Sequence, residues 1–212
     1  TDRAVKFLID KGVKMIVLAC NTATAAALDY LQDKYDIPII GVVQPGARRA
    51  IQATENNKVL VLGTKFTANS KVYDIEIENI NSEILVFDKA CPAFVPFIES
   101  EGNLDKEATK NILKESLNNT SNLGIDTVVL GCTHYPILKK DIEEYYGSSI
   151  KVISSGREAA REVSTVLGYA KLHQKKLNKK EHKFYISEAS ENFNNIASKW
   201  LNKEITAEVV EI

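Results

Sequence analysis

One short pattern occurs twice in this chain: Val17-Leu18-Ala19-Cys20-Asn21-Thr22 and Val129-Leu130-Gly131-Cys132-Thr133-His134. Each copy reads as an apolar strand that closes on a small residue, followed by a cysteine and two polar residues able to open a helix. A continuous apolar run suits a strand buried on both faces, which calls for a parallel sheet covered by helices. Ligands of such sheets collect beyond the carboxyl ends of the strands. The repeat therefore predicts two related halves, each with one thiol at its mouth. Chemistry that needs two similar proton-transfer groups on opposite faces of one small substrate would use that arrangement directly.

The rest of the chain continues the alternation. Val5, Leu8 and Ile9 mark a helical face, Lys11-Gly12 a turn, and residues 15–19 a strand. A helix over 24–35 and a strand over 37–43 follow, and Gln44-Pro45-Gly46 reads as a break before a helix over 47–54. Strands are then expected at 59–62, 84–87, 127–130 and 151–153, with helices at 70–80, 105–117 and 137–146. Apolar helical faces at 157–170 and 193–201 complete the pattern. This predicts an α/β fold of two domains with mainly parallel sheets flanked by helices, pseudo-symmetric halves facing a central cleft. Residues 1–44 with 155–212 are expected to form the first domain and 45–154 the second.

Composition narrows the function. A net charge of -1 over 212 residues supplies no global field for nucleic acid or an anionic membrane, and no apolar run approaches a membrane span. Neither partner is expected. The lysine-rich stretch 171–183 reads as a solvated loop or helix end. Three cysteines without disulfide-scaffold spacing fit a reducing compartment, with the cytoplasm as the expected location.

A cysteine acts as a base only as thiolate, and its ordinary pKa of about 8.5 falls at helix N-termini or beside cations. One buried cysteine after a strand reads as packing, whereas two in matching contexts point to catalysis. His134 lies two residues after Cys132 and can hold or relay a thiol proton. Asn21, Thr22 and Thr133 offer short donors, and the N–H groups that follow could receive a carboxylate at a helix start; plain N-capping fits them equally well. Cys91 lies outside the repeat and reads as a core residue. Glu99 and Glu101 follow the apolar stretch 94–98, within reach of a cleft. Cys132 and His134 lack the spacing that would supply further metal ligands, so no metal is expected. No phosphate loop or GxGxxG fingerprint occurs, which disfavours nucleotides.

Ala19-Cys20-Asn21-Thr22-Ala23-Thr24, Gly41-Val42-Val43-Gln44-Pro45-Gly46, Leu62-Gly63-Thr64 and Gly131-Cys132-Thr133-His134-Tyr135-Pro136 resemble the ordered motifs of bacterial glutamate racemases. The resemblance implies cofactor-independent interconversion of L- and D-glutamate, supplying D-glutamate for peptidoglycan. It implies that Cys20 acts on D-glutamate and Cys132 on L-glutamate, with His134 assisting Cys132. It places substrate contacts at Asn21, Thr22, Thr133 and His134, and an assisting acid at Glu99, with Glu101 as the alternative. A homodimer stays open. The family's Asp-Ser-Gly motif after a first strand, and its Tyr-Gly loop, have no counterpart here. The sheet carrying Cys20 is accordingly expected to have an open edge, without the Asp that supports the first cysteine and the Ser that contacts substrate. The alternatives are an aspartate or other amino-acid racemase of the same superfamily, and a non-catalytic amino-acid-binding protein. Tyr135-Pro136 favours glutamate.

Overall fold

Helix α1 (Asp2–Asp10) ends in a turn at Gly12, whose φ of +73° suits a residue without a Cβ. The computed structural model describes residues 1–100, 105–147, 149–174 and 182–212. Strand β1 (Ile16–Leu18) leads through Cys20 into α2 (Asn21–Lys34), and β2 (Ile39–Gly41) returns to pair with β1 in parallel, Val17 opposite Ile40. Ile16 and Leu18 are buried but Val17 is 40% exposed, so β1 is covered on one face rather than on both as expected. The Thr24 hydroxyl donates to the Leu18 carbonyl at 3.0 Å and accepts the Val42 N–H at 3.3 Å, tying the helix to both strand ends. A Cβ at Gly41 would lie 2.4 Å from Thr24 Cγ2, so this approach requires glycine.

The next two helix starts differ from expectation. The α2 helix begins at Asn21, three residues early, because Cys20 is itself the extended residue at its N-cap. Helix α3 (Val43–Ala53) absorbs Gln44-Pro45-Gly46 into its first turn instead of being broken by it. A proline there loses no hydrogen bond, since the first N–H groups of a helix have no intrahelical acceptor.

Strand β3 (Lys58–Gly63) is followed by α4 (Lys65–Asn69), α5 (Val72–Glu78), β4 (Leu85–Ala90), α6 (Phe94–Glu99) and α7 (Lys106–Leu117). Then come β5 (Thr127–Gly131), a 3₁₀ turn (Tyr135–Leu138), α8 (Lys139–Tyr146), β6 (Lys151–Ser154) and α9 (Ser155–Tyr169). Among the described residues these strands form a parallel sheet in the order β4-β3-β5-β6. Alternation along β3 and β5 sends Val59, Val61 and Val129 to one face, against Val43, Ala47, Ala50, Tyr73 and Ile77. Leu60, Leu62, Val128 and Leu130 go to the other, against Phe94, Leu113, Leu117, Tyr135 and Ile142. With both faces covered, every residue of β5 is buried, which is why the strand reads as an uninterrupted apolar run.

The helix expected over 70–80 starts only at Val72, because Lys71 before it adopts a left-handed φ of 56° and bonds Asp88 at 3.0 Å. The helix expected over 137–146 starts as a 3₁₀ turn. Tyr135 precedes Pro136 and is disfavoured from α geometry.

Lys14–Lys171 packs as one unit, and Thr1–Val13 together with Leu172–Ile212 as another. The second contains α1, β7 (Tyr185–Ile186), α10 (Glu191–Leu201) and β8 (Glu208–Val209). There Phe7 meets Tyr185 edge to face at 5.1 Å, Lys11 caps both rings, and Ser190 caps α10 by accepting the Phe193 N–H. Glu101, and residues 175–181 of the lysine-rich stretch, lie outside the described residues. Among the described residues no helix is long and apolar enough to cross a membrane.

Candidate active site

The two halves of the repeat end in different local structures. Cys20 is exposed at the N-cap of α2, whereas Cys132 is 8% exposed and follows the last residue of β5. Burial pushes the Cys132 thiol above its ordinary range, and the nearby Cys20 adds to that shift. The His134 and Tyr135 N–H groups and the Thr133 side chain bond toward the sulfur and act in the opposite sense. The net effect is upward, so Cys132 rests protonated at neutral pH.

His134 connects Cys132 to Glu99. Its Nε2 lies 2.8 Å from Glu99 Oε1, and its Nδ1 lies 3.9 Å from Cys132 Sγ and 3.3 Å from Thr133 Oγ1. An ionised carboxylate only accepts, so Nε2 carries the hydrogen and donates it to Glu99. In the neutral ring Nδ1 is then an acceptor facing the thiol. Helix α6, which sequence periodicity does not reveal, places Glu99 at its last position and thereby within reach.

On the Cys20 side, Thr22 Oγ1 lies 3.0 Å from Thr64 Oγ1 and 3.3 Å from Thr67 Oγ1, a cluster of three hydroxyls joining the start of α2 to that of α4. Asn21 is buried, and its amide is turned inward to Tyr73 and Ser155. Thr133 is exposed beside His134. Thr64, Thr67, Tyr73 and Ser155 escape sequence reasoning. Thr64 stands in the Leu62-Gly63-Thr64 motif, which was the one available signal.

Cys91 stands apart. It is fully buried in the core around Phe94 and Tyr135, and burial pushes its thiol up to about 12. Tyr135 donates its hydroxyl to the Cys91 carbonyl at 2.9 Å and to the Gly63 carbonyl at 3.1 Å. Among the described residues no group of three or more His, Cys, Asp or Glu side chains is placed to hold a metal ion.

Residues 2–163 match the family model for Asp/Glu/hydantoin racemase. The chain is 45% identical to a glutamate racemase of Listeria monocytogenes (strain HCC23), over 97% of its own length and 77% of the relative's. It is 43% identical to one of Staphylococcus aureus (strain MRSA252), with the same coverage. Among solved structures, glutamate racemase isoform RacE1 from Bacillus anthracis superposes with a TM-score of 0.93 at 36% identity, covering 99% of this chain and 78% of that one. The Francisella tularensis glutamate racemase, in complex with D-glutamate, gives 0.88 at 33% identity, with coverage of 97% and 76%.

Proposed function

The chain belongs to the Asp/Glu/hydantoin racemase family and, by homology to glutamate racemases, is an isomerase; on that premise we propose that it interconverts L- and D-glutamate by two-thiol acid–base catalysis, supplying D-glutamate for peptidoglycan. Starting from D-glutamate, the Cys20 thiolate takes the Cα proton and leaves a planar carbanion. Cys132, resting as a thiol, delivers its proton to the opposite face. The product is L-glutamate, with Cys20 now a thiol and Cys132 a thiolate.

In the reverse direction the exposed Cys20 must first gain a proton from solvent, to serve as donor, and Cys132 must lose its own. His134 Nδ1 is the acceptor, and the imidazolium that forms is balanced by Glu99. The Cys132 thiolate is then held by the N–H groups of His134 and Tyr135 and by Thr133. Thr22, Thr64, Thr67 and Thr133 supply hydroxyls for the substrate carboxylates, and fixed donors of this kind stabilise the charge that develops at Cα.

The observation that carries this reading is the Glu99–His134–Cys132 chain, which runs from a carboxylate through an imidazole to the thiol. The test is incubation of the protein with L-glutamate, D-glutamate or L-aspartate in deuterated water, followed by circular dichroism and proton NMR. Inversion of both glutamate enantiomers with solvent deuterium at Cα supports the proposal. Inversion of aspartate in preference would move the substrate assignment, and glutamate binding without exchange would refute catalysis.

A further inference from the structure

Tyr73 takes no part in these proton transfers, yet its buried side chain touches the neighbours of both cysteines. Its hydroxyl donates to Asn21 Oδ1 at 2.7 Å, and Asn21 directly follows Cys20. Asn21 Nδ2 donates to Ser155 Oγ at 3.3 Å, and Ser155 donates to the Leu130 carbonyl at 3.1 Å, two residues before Cys132. The other contact is the ring itself. A Cβ at Gly131, the residue before Cys132, would lie 3.3 Å from Tyr73 Cε2 and 3.0 Å from the Leu62 carbonyl. A Cβ at Gly46 would meet the Tyr73 hydroxyl at 3.0 Å and Ser155 Cβ at 3.2 Å.

We infer that Tyr73 is a positioning residue that fixes the placement of Cys20 relative to Cys132, with Asn21 and Ser155 as the bridge. The inference rests on the two-thiol reading above. Tyr73 and Asn21 are buried, so a broken link leaves an unsatisfied polar group in a medium where that is costly. The network thus has one favourable arrangement, and through it the start of α2, the start of α9 and the end of β5 hold a common spacing. The two glycines complete the device by letting the aromatic ring lie directly on backbone.

The kinetic consequence is specific. A carbanion made by one thiol either regains a proton from that same thiol or receives one from the opposite thiol, and only the second outcome inverts the centre. Relaxing the spacing weakens the second route, because it needs both groups aligned at once, and leaves the first in place.

The experiment compares the unaltered chain with Tyr73→Phe, Ser155→Ala and the double variant in deuterated water, measuring Cα deuterium in recovered substrate and the extent of inversion for each enantiomer. The ratio of exchange with retention to inversion is expected to rise about tenfold in each single variant, with no further multiplication in the double, since both break one shared network. An unchanged ratio, or exchange and inversion falling in proportion, would overturn the inference, because loss of fold or of substrate affinity scales both alike. If Tyr73→Phe fails to fold, Ser155→Ala decides the matter by the same ratio. Failure of the unaltered chain to exchange or invert glutamate at all would instead remove the two-thiol reading, and this inference with it.

Discussion

Glu99→Gln isolates the charge of the relay from its geometry. Glutamine keeps a carbonyl oxygen that can accept from His134 Nε2, so the ring keeps its place and tautomer while the countercharge for the imidazolium is lost. A hydrogen bond to a charged group contributes about 1.5–3 kcal/mol. Here Glu99 is 41% exposed and His134 22%, so solvent screening brings the pair below that range, to about 1 kcal/mol. That corresponds to roughly a fivefold loss in rate.

The two enantiomers of glutamate have equal free energy, so kcat/KM must fall by the same factor in both directions. The rates alone therefore do not say which thiol is served. Isotope effects do. If Glu99 acts through His134 on Cys132, only the Cys132 step is slowed, and the kcat/KM effect of Cα deuteration rises for L-glutamate. For D-glutamate it falls, because abstraction by Cys20 is then followed by a slower reprotonation. Isotope effects that move together for the two enantiomers, or a rate within twofold of the parent, would refute the relay.

Cys20→Ala and Cys132→Ala should each abolish racemisation, a loss of roughly 10²–10⁴ in rate, while leaving slow Cα exchange on one enantiomer only: L-glutamate for Cys20→Ala and D-glutamate for Cys132→Ala. NMR in deuterated water reads this, and equal exchange of both enantiomers by one variant would contradict the assignment. Tyr135→Phe removes two buried hydrogen bonds whose carbonyl acceptors keep another donor each, from Cys91 and Phe94. It should cost about 1–1.5 kcal/mol, a fall of about 3–5 °C in Tm by calorimetry; an unchanged Tm would show the hydroxyl to be inert. Cys91 keeps its proton up to about pH 12 in the folded chain but ionises near 9.0 once unfolded. Its contribution is therefore complete below pH 9 and lost as pH rises from there toward 12, with a slope of about 1.4 kcal/mol per pH unit. Urea unfolding at pH 8 and 10.5 should show Cys91→Ala losing less stability over that interval than the parent, and parallel losses would contradict the assignment.

What the sequence reveals and what it conceals divides along physical lines. Strands β3 and β5 announce themselves because burial on both faces leaves them only apolar side chains and glycine across their centres. The cysteine repeat is legible because each half is local, and His134 because it lies two residues from Cys132. Helix α6 is not legible, since Phe94–Glu99 is too short to display a period and holds a proline. The break at Lys71 is hidden for another reason. A lysine has no intrinsic preference for positive φ, and the ion pair it makes there is with a residue on a different strand. The polar bridges of the site are hidden most completely. Thr22 meets Thr64 across 42 positions and Asn21 meets Ser155 across 134, pairings made only after the sheets have formed. Asn21 shows the consequence: read locally it is a cap or a substrate donor, and its bonds to Tyr73 and Ser155 become visible only in the folded chain. Local pattern thus identifies the groups that could move a proton, while the side chains that set their alignment come from distant segments and emerge only with the tertiary structure.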